Sequence, residues 1–489
     1  MIFNSLIYLF FLGIVAIAYH LLPGRTRWIW LLFASIGYYL SFIPVFILLL
    51  FAVALFNYVL AKRLAKIQDE KSSHLLILII VLNVLILAFF KYFNILFPGI
   101  QIHLYSVDIF SQSDAINKMI LPLGLSYFTF TILSYQIEVK RRTIQPEKHF
   151  GYFLIFLFFF PKITQGPIER PQHLIPQIHQ CPPFNYHLVV KGLKLMLWGF
   201  FKKLVVADRL AIYVNAVYNH SEHHTGISLL VATIFFAFQI YADFSGYTDI
   251  AIGSANLFGF NLTNNFKRPY FATSIKDFWN RWHITFSTWL RDYIFLPLAY
   301  FLSNRMKKQK YFYISTEKWI YLIAIMITFA ICGIWHGVGW TYLIWGILFG
   351  LYLTYSNWTR DLQKKFRTRF NIRKTSNYYV IYKVLLTFVL VLFTWIFFRA
   401  NTTREAFHIV KSIFAFEGQL FVDYPTFIYG IGGILFVLFF EYRHEYHSDS
   451  SLTFRTNHWI KESLLYGSLI IIILLVGVFD GSQFIYFQF

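Results

Sequence analysis

Charge is what this sequence has least of. Only 13% of its 489 residues are Asp, Glu, Lys or Arg, about half the share of roughly 25% that a soluble domain carries. A water-facing surface of this size cannot be built from so few charges. Acids are scarcer still, 23 against 43 basic residues. Cysteine is nearly missing: Cys181 and Cys332 alone make no disulfide framework and no metal site. Several chemical signatures are absent too. There is no Walker A run for nucleotide phosphates, no Gly-x-Ser-x-Gly nucleophile turn and no zinc-protease helix. His444-Glu445-Tyr446-His447 comes near the last, but its histidines are three apart where that motif needs four.

What fills the space is apolar. Hydrophobic residues make up 57% and aromatics 21%, with 58 Phe and 33 Tyr, and mean hydropathy is +0.55. Such a chain meets lipid with its outer surface and headgroups with its Trp and Tyr. The composition therefore predicts an all-α, polytopic membrane protein, one membrane-embedded body over residues 1–489. The basic excess does not indicate nucleic acid. Its cations are clustered between apolar runs, and no groove-reading module is present.

Apolar runs predict about eleven spans, at roughly 20 residues each. The first, Ile2–Leu22, lacks a basic leader and a small-residue cleavage site, so it is expected to be a retained span. Trp28–Leu60 would reach roughly 50 Å as one helix; Pro44 at its middle predicts a hairpin or kinked pair. Tyr152–Phe160 is too short to cross and is ended by Pro161, which suits a re-entrant or interfacial segment. Cation clusters at Arg25/Arg27, Lys62–Lys71, Lys140–Arg142, Arg305–Lys310 and Arg360–Lys374 are expected to face the cytoplasm. Gly99–Asn117, without Lys or Arg, fits the opposite side. Trp319–Trp335 and Trp340–Trp358 then form a hairpin whose turn, His336-Gly337, points away from the cytosol. Gly333, Gly337, Gly346 and Gly350 are spaced for close helix approach.

Two histidines stand in apolar surroundings: His336, in Ile331-Cys-Gly-Ile-Trp-His-Gly-Val-Gly-Trp340, and His283, in Phe278-Trp-Asn-Arg-Trp-His-Ile-Thr-Phe-Ser287. Charged side chains at membrane depth cost about 2.5–3.5 kcal/mol and usually line a cavity or a path. A neutral imidazole is cheaper, so either ring suits a structural or a catalytic role. Read as one helix, Phe278–Tyr293 places Trp279, His283 and Ser287 on one stripe, with Trp282 nearby, and pairs Asp277 with Arg281 at i,i+4. Two readings fit it: an interfacial aromatic helix with snorkelling arginine, or the wall of a polar pocket for an anionic group such as a nucleotide-bearing thioester. Asp243 and Asp249 sit in a long apolar run. They suit a proton path, or pairing with Lys267, Arg268 or Arg281 close by in sequence. His220, Glu222, His223 and His224 are expected to form a hydrated loop and hold no metal. Phe160-Pro-Lys-Ile-Thr-Gln-Gly-Pro-Ile-Glu-Arg170 is a broken polar segment that needs protein around it.

Taken in order, several segments resemble the membrane-bound O-acyltransferase family, in the bacterial branch that serves alginate O-acetylation. They are Met1–Ser5, Leu121-Pro-Leu-Gly-Leu-Ser-Tyr-Phe-Thr-Phe130, Gly166-Pro-Ile-Glu-Arg170, Tyr241–Gly246, Asp277–Tyr293, Gly333-Ile-Trp-His-Gly337, Trp395-Ile-Phe-Phe-Arg399 and Phe484–Phe489. Relatives of that branch D-alanylate teichoic acid or O-acetylate peptidoglycan. His336 is expected to act as general base, His283 to orient the thioester or polarise its carbonyl, and Arg281 and Lys276 to meet the donor's phosphates, with Trp279, Asn280, Trp282, Ser287, Asp243 and Trp335 around the substrates. The resemblance implies that His336 is the catalytic histidine, near mid-membrane, and that His283 is the second polar position. It further implies a ring of helices around a tunnel, with no bound cofactor. The donor would be acetyl-CoA or an acyl-carrier thioester, entering from the cytosol of a cell whose inner membrane holds the chain. The acetyl group would pass to a periplasmic or membrane-anchored SGNH-type acetyltransferase or carrier, working with polysaccharide export machinery. The competing class is a proton-coupled transporter using Asp243, Asp249 and the histidines; the matching interrupted halves of such proteins are not visible here.

Overall fold

The computed structural model describes residues 3–42, 44–67, 70–96, 122–164, 166–446 and 459–479. The Gly99–Asn117 stretch, His447 and the terminal Phe484–Phe489 segment lie outside them. Among the described residues the regular structure is helical, joined by turns and loops, apart from one short antiparallel pair, Lys310–Tyr311 with Ile314–Ser315. Six of the described helices are long and apolar enough to cross a membrane. The chain is an all-α, multi-pass membrane protein. It divides into two compact units, Met1–Met196 with Tyr247–Thr263, and Leu197–Gly246 with Asn264–Phe489.

The first unit begins with α1 (Leu6–Leu21), whose Ser5 side chain caps it by accepting from the Tyr8 N–H. Next come α2 (Gly24–Leu40) and α3 (Phe46–Lys66). One helix ends at Leu40 and the next starts at Phe46, so the expected pair stands in place of one long helix. The apolar α4 (Glu70–Leu96) and the largely buried α5 (Leu125–Lys140) follow. Three buried amides join α3, α4 and α5. Asn57 and Asn83 exchange hydrogen bonds of 3.0 Å each way, and Gln136 donates to the Asn57 side chain at 3.2 Å. Among apolar helices such interhelical bonds fix register where greasy packing alone would slide.

The short run expected not to cross is α6 (Phe150–Phe158) and the single turn α7 (Phe160–Ile163), both deeply buried. Side chains satisfy the backbone of the broken segment after it. Ser35 accepts from the Phe160 N–H at 3.1 Å, and Tyr127 donates to the Pro167 carbonyl at 2.7 Å. Irregular backbone is thus enclosed by protein, as its depth demands. Then come α8 (Pro171–Gln180) and α9 (Tyr186–Phe200). The Glu169 carboxylate, fully buried, takes hydrogen bonds from Thr263 and from His173 on α8, the latter at 2.6 Å.

In the second unit, a π-helical turn over Phe201–Ala207 leads into α10 (Asp208–Tyr218). The long α11 (Gly226–Asn256) carries the Tyr241–Gly246 segment. Two short helices, α12 (Ile275–Arg281) and α13 (Ile284–Leu290), precede α14 (Leu296–Arg305). The expected hairpin is present as α15 (Thr316–His336) and α16 (Trp340–Trp358). Its open end is tied by reciprocal bonds of 3.2 Å between Lys318 and Trp358. Its glycines allow the predicted contact: a methyl group on Gly346 would sit 2.2 Å from the Phe329 carbonyl oxygen, and one on Gly333 2.4 Å from that of Tyr342. The strongly basic α17 (Arg360–Arg369) leads to α18 (Asn377–Arg399). The unit ends with α19 (Thr403–Ala415), α20 (Tyr424–Tyr446) and α21 (Trp459–Val476).

Candidate active site

His336 is the last residue of α15, held where the hairpin turns. It is 5% exposed. Four aromatic rings pack around the imidazole: Trp335 at 4.5 Å, Trp345 of α16 at 4.9 Å, Phe398 of α18 at 5.1 Å and Phe286 of α13 at 6.2 Å between centroids. Three different helices besides its own or its neighbour's turn therefore fix one side chain. His283 is 6% exposed and stacks on the same Phe286 ring, 5.0 Å away with the planes 30° apart, with Phe244 of α11 edge-on at 4.7 Å. Phe286 is thus shared by both histidines, 53 positions apart in sequence.

The single-helix reading of Phe278–Tyr293 is overturned. Ser274 caps α12 through the Asp277 N–H at 3.1 Å, but the helix stops at Arg281. His283 then takes a left-handed conformation, φ 41° and ψ 54°, and starts α13 as its N-cap. A residue with a Cβ pays for that geometry, so periodicity carried no sign of it. Trp279, His283 and Ser287 consequently do not form one stripe. Ser287 instead donates back to the Trp282 carbonyl at 3.0 Å. Asn280 and Lys276 are exposed.

The tryptophans do assemble. Trp282 meets Trp395 of α18 at 5.2 Å, Trp395 stacks on Trp345 at 6.3 Å, and Trp279 meets Trp345 at 6.0 Å. They form a continuous aromatic wall ending at His336. Sequence reasoning omitted Trp345, Trp395 and Phe398 from it. Their spacing was visible, but only the fold shows that α16, α18 and α12 converge.

Charge pairs divide differently from expectation. Arg281 does pair with Asp277 at 2.9 Å, and also with Glu445 of α20 at 2.9 Å; Arg268 reaches the same Glu445 at 2.6 Å. Two carboxylates therefore engage the Arg281 guanidinium that was expected at donor phosphates. Asp243 pairs with the buried Lys203, at 2.8 Å, a cation that was not among those expected for it; Lys203 also holds Asp208 at 2.7 Å. Lys203 lies in the π-helical turn, and no short-range pattern links it to Asp243. Among the described residues, no group of three or more His, Cys, Asp or Glu side chains could hold a metal.

An apolar helical body with two buried histidines on one aromatic wall defines an integral membrane protein with a candidate acid–base site. The comparisons narrow this. A sequence model of the MBOAT, membrane-bound O-acyltransferase family, matches residues 31–400. The chain is 30% identical over 451 residues to a peptidoglycan O-acetyltransferase of Helicobacter pylori, covering 86% of this chain and 80% of the relative. It is 32% identical over 424 residues to a probable alginate O-acetylase AlgI of Pseudomonas aeruginosa, covering 85% and 75% respectively. A teichoic acid D-alanyltransferase of Bacillus subtilis is 27% identical over 287 residues, 58% of this chain and 70% of the relative. The chain belongs to the membrane-bound O-acyltransferase family, and it is an O-acyltransferase.

Proposed function

We propose that this enzyme moves an acyl group, acetyl in the first instance, from a cytosolic thioester to a hydroxyl destined for a cell-surface polysaccharide outside the inner membrane. The donor is acetyl-CoA or an acyl-carrier thioester. A charged thioester cannot cross hydrocarbon, and a polymer cannot cross to the cytosol, so the two meet in a tunnel through the protein. His336 acts as general base. It removes the hydroxyl proton as that oxygen attacks the thioester carbonyl; the C–S bond then breaks, and the departing sulfur takes the proton from the imidazolium. A positioned base contributes about 10²–10⁴-fold; positioning and donors to the tetrahedral oxyanion supply the remainder. Lys276, Asn280, Trp279, Trp282, Ser287 and Trp335 line the approach of the substrates. A separate SGNH-type acetyltransferase or carrier receives the acetyl group, alongside polysaccharide export machinery.

The observation that supports this reading most is the pairing of His336 and His283 on Phe286, at the end of an aromatic wall. The test is reconstitution with radiolabelled acetyl-CoA, following where the label goes. A His336→Ala variant is expected to insert and fold as the parent does and to lose transfer by about 10²-fold or more. Full transfer by the purified variant would remove His336 from its role.

A further inference from the structure

Asn265 is buried, at 1% exposure, and stands where the chain runs beside the break between α12 and α13. Two backbone hydrogen bonds hold it there: the Ile284 N–H donates to the Asn265 carbonyl and the Lys267 N–H to the Arg281 carbonyl, each at 2.9 Å. Residues 265–267 are thereby lashed to both sides of the left-handed His283. The Asn265 side chain faces the same point. Its Oδ1 lies 3.2 Å from the Thr285 backbone nitrogen, 2.9 Å from the Thr285 hydroxyl and 3.1 Å from His283 Nδ1.

These three contacts fix protons. A backbone N–H can only donate, so the amide atom turned toward Thr285 is the oxygen and not the NH₂. That oxygen can only accept. His283 Nδ1, facing it, must therefore carry a hydrogen. Burial between the Phe244 and Phe286 rings keeps the ring neutral by lowering its pKa. A neutral imidazole has one N–H, which leaves Nε2 as a lone pair.

We propose that Asn265 is a positioning residue that locks His283 as its Nδ1–H tautomer, so that Nε2 presents a lone pair to the acyl acceptor and takes a hydrogen bond from a hydroxyl other than the one His336 deprotonates. This reverses the expectation that His283 polarises the thioester carbonyl. That role needs an N–H at Nε2, which the Asn265 contact excludes. The left-handed turn at His283, unfavourable for a residue with a Cβ, has a reason in this arrangement: it brings Nδ1 and the Thr285 N–H to one oxygen. Assigning the hydroxyl as the bonded group rests on the acyl-transfer reading; the tautomer does not.

Two measurements separate these. Full-length protein labelled with 15N-histidine, in lipid nanodiscs, reports the tautomer of each ring, and a His283→Asn variant identifies the signal by its loss. The expected result is a protonated Nδ1 and a bare Nε2 at His283. In Asn265→Ala the Nε2–H form appears; in Asn265→Asp, which keeps an acceptor in place, Nδ1–H persists. A wild-type ring protonated at Nε2 overturns the proposal, as does an Asn265→Ala ring that stays wholly Nδ1–H. In the radiolabelled assay, Asn265→Ala lowers kcat about 10²-fold, the scale on which misplacing a reacting group acts. Asn265→Asp restores part of it, with the acid limb of the pH–rate profile moved to higher pH, because a carboxylate favours the imidazolium. An unmoved limb would mean that Asn265 serves structure alone and would overturn the proposal. Should Asn265→Ala fail to fold, the wild-type and Asn265→Asp spectra still decide. If the wild type transfers no acyl group but shows Nδ1–H, the acyl-transfer reading falls and the tautomer assignment stands.

Discussion

Single side chains in this protein divide into those held by charge and those held by rings. Lys203 belongs to the first kind: its ammonium joins Asp208 and Asp243, and all three are almost fully buried. Removing one member of such a group leaves uncompensated charge out of water, which costs about 3–5 kcal/mol. Lys203→Met is therefore expected to lower the thermal stability of the detergent-purified protein sharply. Equal stability of Lys203→Met and the parent, with proton uptake into liposomes lost, would instead favour a proton path through Asp243. His173 gives a pH-dependent case. Its hydrogen bond to the buried Glu169 raises its pKa above 6.5, against the opposing effect of partial burial. A raised folded pKa means that the folded state binds the proton more tightly than the unfolded one. The added stability is thus complete below about pH 6.5, the free imidazole value, and fades as pH rises through the folded value. Unfolding temperatures of the parent minus those of His173→Asn should show a difference that is largest in mild acid and shrinks toward alkaline pH. A difference that grows with pH would contradict the ion pair.

At the level of elements, what could be read from sequence is what local pattern determines. The α15–α16 hairpin was legible because two apolar runs flank a Gly-rich turn and lie between basic loops, and because glycines recur at spacings that only close packing uses. The prediction is quantitative. Gly346→Ala places a methyl 2.2 Å from the Phe329 carbonyl oxygen, an overpacking expected to cost about 1–3 kcal/mol. Gly432→Ala in α20, where nothing lies within 4 Å, should leave stability unchanged or slightly higher. Thermal unfolding of the two variants side by side checks this, and equal behaviour would mean that α15 and α16 can part without penalty. The α12–α13 break was not legible for the opposite reason. Nothing between Phe278 and Tyr293 is a helix breaker; the break is imposed by Asn265 and Thr285, through contacts that no helical period encodes. The same holds for Asp243, whose partner comes from a π-helical turn of another element. The two histidines were identified by sequence, but what joins them, Phe286, and what encloses His336, Trp345 and Phe398, emerged only from helices meeting.

For the molecule as a whole, the arrangement of charge makes a prediction about sidedness. In the second unit, α15 has 21 residues and rises about 30 Å at 1.5 Å per residue, close to the hydrocarbon thickness of about 30 Å. Its N-terminal end follows the Arg305–Lys310 cluster, and α16 returns to the basic α17. Both flanks of the hairpin are thus cationic, and the turn after His336 has no Lys or Arg between Gly337 and Trp340. The positive-inside bias then assigns the flanks to the cytosol and the turn to the other face. Two reporters test it: Val338, 47% exposed at the turn, and Lys364, exposed on α17. Each is replaced by cysteine in a chain with Cys181→Ser and Cys332→Ser, then treated with a membrane-impermeant maleimide. In spheroplasts Val338→Cys should label and Lys364→Cys should not; in inverted vesicles the pattern should reverse. The outcome bears directly on the proposed chemistry, in which an acceptor hydroxyl arriving from outside would meet the His336 end of α15 first and the donor would enter past the basic flanks. Labelling of both cysteines from one side would place both ends of the hairpin on the same face, and a hydroxyl from outside could no longer approach His336 by that route.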